Sequence, residues 1–153
     1  MDTTTFKDFL ANLIQVIGFK DAEITITEEE PQRLKADIQL TESGLFIGNN
    51  GENLYAFEHL CRLMANKALG PDVGLSVDAN NYNAFKEEKL KELAHKAERT
   101  VMLTNKAVDL QPMSSRERRI IHTELAESEE VMTESLGERD ARHVVVRPKQ
   151  LSI

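Results

Sequence analysis

Residues 22–27 and 34–40 alternate apolar and polar side chains. Ala22, Ile24 and Ile26 stand against Glu23, Thr25 and Thr27. Leu34, Ala36, Ile38 and Leu40 stand against Lys35, Asp37 and Gln39. A period of two belongs to a strand with one buried face, so something apolar must cover it. Helical periods on either side supply the cover. Before the strands, Phe6, Phe9, Leu10, Leu13, Ile14 and Ile17 follow the i, i+3, i+4, i+7 spacing of one helical face, and Gly18 offers a stop. After them, Leu54, Phe57, Cys61, Met64 and Ala68 share a face, supplemented by Leu60 and Ala65, and Gly70-Pro71 ends that helix.

The polar stretch Glu28 to Gln32 predicts an antiparallel hairpin from the first two strands. A third alternation, Val73, Leu75, Val77 and Ala79, follows the helical segments, so its strand is expected to lie parallel to the second. Residues 1–80 therefore read as an α+β domain with helices on a three-stranded mixed sheet.

A long helix is predicted from Asn83 to Leu103, with Leu90, Leu93, Ala94, Ala97 and Val101 as its apolar stripe. Lys86, Glu87, Glu88, Lys89, Lys91 and Glu92 crowd its other faces, the ordinary dress of a solvated helix. Residues 81–103 are expected to connect two domains. Residues 104–153 read as a small α/β domain. Val108 to Leu110 alternates, and Ser114 with Glu117 forms a capping box for a helix through Ala126. Strands are expected at Val131–Leu136 and Val144–Val146, with a turn at residues 137–140 between them.

Charge narrows the choice of partners. The chain of 153 residues carries 19 Lys+Arg and 26 Asp+Glu, a net charge of −7, which argues against coating nucleic acid or an anionic membrane by bulk charge. The acid is unevenly placed. Residues 1–80 hold 6 Lys+Arg against 13 Asp+Glu, whereas residues 81–153 hold 13 of each. A single cysteine, Cys61, leaves no disulfide framework or multi-cysteine zinc site. No apolar run is long enough to span a membrane, and the N-terminus lacks a secretory pattern, so a cytoplasmic protein without membrane association is expected.

Two motifs carry chemistry. The first is Gly48-Asn49-Asn50-Gly51, between a short helical turn and the long helix. Paired glycines let another backbone pass closely, and the unpaired N–H groups of a helix start can meet phosphate. The order of helix, two strands, short helix, G-x-x-G, long helix and strand resembles a type II KH domain. That likeness implies a single-stranded RNA groove at Gly48, Asn49, Asn50 and Gly51. Both central positions are Asn, where such loops usually place a Lys or Arg. Asn can hydrogen-bond a phosphate but releases no counterion.

The second motif is Arg118-Arg119-Ile120-Ile121-His122. Arg118 and His122 are four residues apart and share a helical face. Together they offer a fork of donors beside an imidazole that can stack or hydrogen-bond. Arg116 and Arg119 widen the positive surface. The stretch from Val108 to His122, with Thr133 to Gly137 and Arg142 to Val146, resembles the single-stranded nucleic-acid-binding domain named for its Arg-x-x-x-His (R-three-H) pair. A KH domain followed by this one is the arrangement of the bacterial Jag (SpoIIIJ-associated) family, and the likeness runs from about Ala22 to Pro148. The further N-terminal Jag domain of longer relatives is not seen.

The resemblance implies a regulator of cell elongation, division or envelope biogenesis that binds single-stranded RNA, or single-stranded DNA, through Arg118, His122, Arg119 and Arg116. It also implies a small KH-only protein partner, or a homodimer, through the first domain. An assembly module in which that acidic half binds protein and RNA is secondary is the alternative.

No enzyme is expected, nor any cofactor or metal. His59, His95 and His143 sit in no ligand spacing, Cys61 lies on an apolar stripe, and Ser114-Ser115 reads as a helix cap.

Overall fold

The computed structural model describes residues 2–149. The first residue of the domain expected over 1–80 and the last four of that expected over 104–153 lie outside this range. Two compact units appear, Met1–Asn83 and Ala84–Ile153.

In the first unit, α1 (Thr3–Val16) starts at Asp2, whose carboxylate accepts the Thr5 N–H at 2.8 Å. Its buried face is Phe6, Leu10 and Ile14. Strands β1 (Glu23–Glu30) and β2 (Arg33–Gln39) pair antiparallel, with Ile24 opposite Ile38 and Ile26 opposite Ala36. The chain then forms α2 (Gly44–Ile47), a tight turn at Asn49–Gly51, and α3 (Glu52–Leu69). It returns in β3 (Gly74–Ala79), which lies parallel to β2 with Ala36 opposite Val77. The sheet order β1-β2-β3 is thus mixed, as the crossover requires.

One position on α3 departs from expectation. Leu60, assigned to the apolar stripe with Leu54 and Cys61, is 46% exposed. At about 100° per residue it stands roughly 120° round the helix from Leu54, too far to reach the same core.

The helix α4 (Tyr82–Thr104) begins at the border of the units. The sequence set residues 81–103 apart as a connector. Its stripe of Leu90, Ala94, Ala97 and Val101 is instead part of the core formed with Ile121, Leu125, Val131, Val144 and Val146. The reason is cover. The second unit's own helix, α5 (Ser115–Glu124), has ten residues and cannot shield a three-stranded sheet alone. That sheet joins β4 (Val108–Asp109), β5 (Val131–Leu136) and β6 (His143–Pro148) in the antiparallel order β4-β6-β5. The helix expected to run through Ala126 ends at Glu124, with Leu125 buried at its cap.

Candidate nucleic-acid interface

The Arg118–His122 face is held in place from its first turn. Ser114 Oγ accepts the Glu117 N–H at 3.3 Å, and the Glu117 carboxylate accepts the Ser114 N–H at 2.8 Å. This reciprocal cap satisfies two donors that a helix start otherwise leaves open. The other oxygen of Glu117 pairs with Lys86 Nζ at 3.0 Å, tying the start of α5 to α4. Burial works to raise the Glu117 pKa, but the hydrogen bonds from Ser114 and the Lys86 ammonium outweigh it and hold the carboxyl below its ordinary value.

On the far flank of α5, the sheet register sets the floor of the site. Thr133 lies opposite Val146 and Ser135 opposite Val144. Directly opposed residues share a face, so the two hydroxyls continue the face that Val144 and Val146 bury under the helices. Arg118 and His122 reach down to them. Arg118 Nη1 donates to Ser135 Oγ at 3.1 Å, and the His122 ring nitrogens lie 2.7 Å from Thr133 Oγ1 and 2.8 Å from Ser135 Oγ. A guanidinium only donates, so Ser135 Oγ accepts from Arg118 and can pass its own proton to His122 Nε2. That leaves Nδ1 as the donor to Thr133.

One donor is left over. Arg118 Nε is buried and has no hydrogen-bond partner among the described residues. Arg118 also has no carboxylate at ion-pair distance among them. A buried charged donor without a partner costs more than a neutral one, and a turn of the side chain that brings the Nε–H to an anionic oxygen removes that cost. Arg119 and Arg116 stand exposed on the solvent side of the same helix.

Burial, and then the neighbouring Arg118 charge, push the His122 pKa below its usual value. The imidazole is therefore neutral near pH 7. The unfolded chain takes up this proton below about pH 6.5 while the folded chain resists it, so His122 withdraws stability as the pH falls toward its folded pKa. Comparison with His122→Gln isolates the effect, because His95 and His143 shift the other way. His95 is raised by its hydrogen bonds to Glu98 and Glu124, and His143 by the Ala141 carbonyl and then Asp109. Urea midpoints at pH 7.5 and 5.5 are expected to show the wild type losing ground to His122→Gln by at most about 1.4 kcal/mol per pH unit. A wild type that gains ground as the pH falls contradicts the assignment.

The Gly48–Gly51 loop lies in the other unit. Gly48 and Gly51 have φ of 74° and 86°, and Asn50 is also left-handed at 51°. A Cβ on Gly51 would sit 2.7 Å from Tyr82 Cε1 and 2.9 Å from Tyr55 Cε2. The glycines are therefore demanded by the turn and by two rings packed over it, whatever else the loop does. Asn49 and Asn50 are exposed, and the first turn of α3 carries Glu52, which works against phosphate at that helix start.

The remaining singled-out residues are in ordinary surroundings. His59 Nδ1 meets Arg62 at 3.0 Å, and His143 bridges the Ala141 carbonyl and Asp109. Cys61 is buried, and burial, then Glu58, push its thiol up to about 12, away from nucleophilic use. Among the described residues no group of His, Cys, Asp and Glu could hold a metal, and no helix is long and apolar enough to cross a membrane. The sequence did not single out the Thr133 and Ser135 hydroxyls as site residues. Their signal was the alternation with Val131 on β5, which marks a polar pair on an otherwise buried face.

Comparison with known proteins bears on the same segment. The R-three-H domain matches residues 88–148, which contain Arg118, His122, Thr133 and Ser135. The chain is 34% identical over 146 residues to the RNA-binding protein KhpB of Bacillus subtilis (strain 168), covering 94% of this chain and 69% of that protein. It is 32% identical over 144 residues to the RNA-binding protein KhpB of Clostridium symbiosum, of which it spans 64%. The corresponding protein of Lactiplantibacillus plantarum is 38% identical over 106 residues, and the aligned part is 33% of its length. An R-three-H domain in the second unit, and similarity to these relatives over nearly the whole chain, place the protein: it belongs to the KhpB (Jag) family.

Proposed function

We propose that the protein binds single-stranded RNA, with most of the affinity in the second unit. The observation that carries this reading is Arg118. Its guanidinium is anchored by Ser135, its buried Nε–H has no partner among the described residues, and a neutral His122 lies beside it over two hydroxyls. A turn of the Arg118 side chain toward solvent lets a phosphate oxygen accept the Nε–H, the imidazole offers a flat face to a base, and Arg119 and Arg116 attract the flanking backbone. The KhpB relatives are RNA-binding proteins, which supports RNA as the ligand.

The first unit is, in this proposal, a type II KH-like domain. The order α1-β1-β2-α2-α3-β3, the turn at Gly48–Gly51 and the parallel β2–β3 pair support it. The division at residues 1–80, 81–103 and 104–153 is modified in that α4 from Ala84 onward counts with the second unit. The regulatory role in cell elongation, division or envelope biogenesis is carried with the family resemblance.

Photocrosslinking tests the reading. An oligonucleotide bearing 4-thiouridine, irradiated with the full chain, is expected to crosslink within residues 116–122 and 133–135. Crosslinks confined to residues 48–51 contradict it.

A second reading has its own support in the first unit, where the excess of acid lies. An apolar groove of about 320 Å³ there is lined by Phe6, Phe9, Met64, Lys67 and Ala68. In this reading the groove takes a protein partner, the small KH-only protein or a second copy, and RNA binding is weak.

A further inference from the structure

Aromatic side chains are scarce, and one is out of place. Of the six Phe and two Tyr, only Phe85 falls in the second unit. It does not join that unit's core and is 60% exposed. The other five Phe are packed in the first core. An exposed ring near a helix start buries little apolar surface, so its face is open to a ligand.

Its surroundings connect it to the Arg118 site. Lys86, the next residue, holds Glu117 at the capped start of α5, one residue before Arg118. Around α4, moving away from the buried stripe, Lys86, Lys89 and Phe85 follow one another at helical spacing. Lys89 Nζ lies 5.8 Å from the Phe85 ring centroid and pairs with the exposed Glu92 carboxylate at 2.9 Å. Around the exposed side of α5 the order is His122, Arg119, Arg116 and then, past the partly buried Ile120, Glu117. A strand leaving the His122 edge over the exposed side of α5 thus crosses two arginines before it reaches the Glu117–Lys86 tie, beyond which Lys89 and Phe85 follow on α4.

We infer that Phe85 is a base-stacking platform for the single strand held at Arg118 and His122, with Lys89 exchanging its exposed Glu92 partner for the adjoining phosphate. The inference rests on the RNA-binding reading above and extends it to a residue three positions before the matched R-three-H segment begins at 88. Every base has a π-face, so the platform selects single strands over duplexes without reading sequence.

The chain contains no tryptophan, which makes the test direct. Phe85→Trp places a single tryptophan at the site, excited selectively at wavelengths longer than tyrosine absorbs. Titrating it with a short oligouridine is expected to quench its emission along the same curve that anisotropy gives for a labelled oligonucleotide. Phe85→Ala is expected to weaken binding about tenfold, within the range of base–aromatic stacking, and to leave the salt dependence unchanged because no cation is removed. Phe85→Leu is expected to bind nearly as weakly as Phe85→Ala, since it keeps apolar area but has no ring. RNA bound normally by the Phe85→Ala variant, or bound by Phe85→Trp without quenching, overturns the platform and leaves the Arg118 site standing. No RNA binding by the unaltered protein overturns both.

Discussion

Replacing Arg118 and His122 together with alanine is expected to lower the affinity for a short single-stranded RNA about 100-fold, equivalent to ~2.7 kcal/mol. The magnitude follows from what is lost: charge-assisted bonds from a guanidinium, each about 1.5–3 kcal/mol, and a flat ring beside them. Folding should be little affected, because both side chains are only half-buried and the hydroxyls they leave can turn to water. Asn49→Asp with Asn50→Asp is expected to cost less than threefold, since the loop carries no cation to lose. Fluorescence anisotropy on the two double variants measures both. A loop variant that loses as much as the helix variant contradicts the division of labour between the units.

The second large effect is on stability. Gly51→Ala is expected to destabilise the first unit by about 2–4 kcal/mol. Roughly 1–2 of this comes from a side chain forced into the left-handed region and the rest from overpacking. The left-handed φ of 86° and the ring carbons at 2.7 and 2.9 Å act together, and neither aromatic can withdraw by flexing a long chain. Gly44→Ala is the control. A Cβ there meets nothing within 4 Å, and the position is helical, so that change is expected to be neutral or stabilising. Thermal melts separate the two. At temperatures where Gly51→Ala remains folded its RNA affinity should match the wild type within threefold, because the proposed RNA site lies in the second unit.

Much of this is legible in the sequence, for reasons that differ by residue. Arg118 and His122 could be paired from spacing alone, because four residues bring two side chains onto one helical face. The Ser114–Glu117 cap was legible for the same reason, as its partners are local. Thr133 and Ser135 were not. Their role depends on the register of β5 against β6, which places Ser135 opposite Val144 and Thr133 opposite Val146, and register is a tertiary fact. The apolar stripe of α4 could be read, but periodicity does not say which core it joins. Likewise the glycines of the 48–51 turn were visible, whereas the Tyr55 and Tyr82 rings that make Gly51 obligatory come from α3 and the start of α4. Phe85 drew no notice in the sequence because it lies off the stripe of a charged helix. Only its exposure, its nearness to Lys89 and the Lys86–Glu117 tie give it meaning.

The opposed shifts of the histidines add a practical point. His122 is held neutral while His95 and His143 hold their protons longer, so the pH dependence of overall stability is a difference of terms and does not report on the site by itself. Binding measurements at fixed pH do. With His122 neutral, the Arg118–His122 pair brings one cation to the strand.

A salt titration of RNA affinity, run on the wild type and on Arg118→Ala with His122→Ala side by side, therefore counts the contact claimed for this pair. The wild-type log affinity is expected to fall with log salt by about 0.7 for each phosphate contacted, and the double variant to be shallower by about 0.7, one phosphate's share. Equal slopes for the two proteins, or no binding by the wild type at low salt, would contradict an RNA site built on Arg118 and His122.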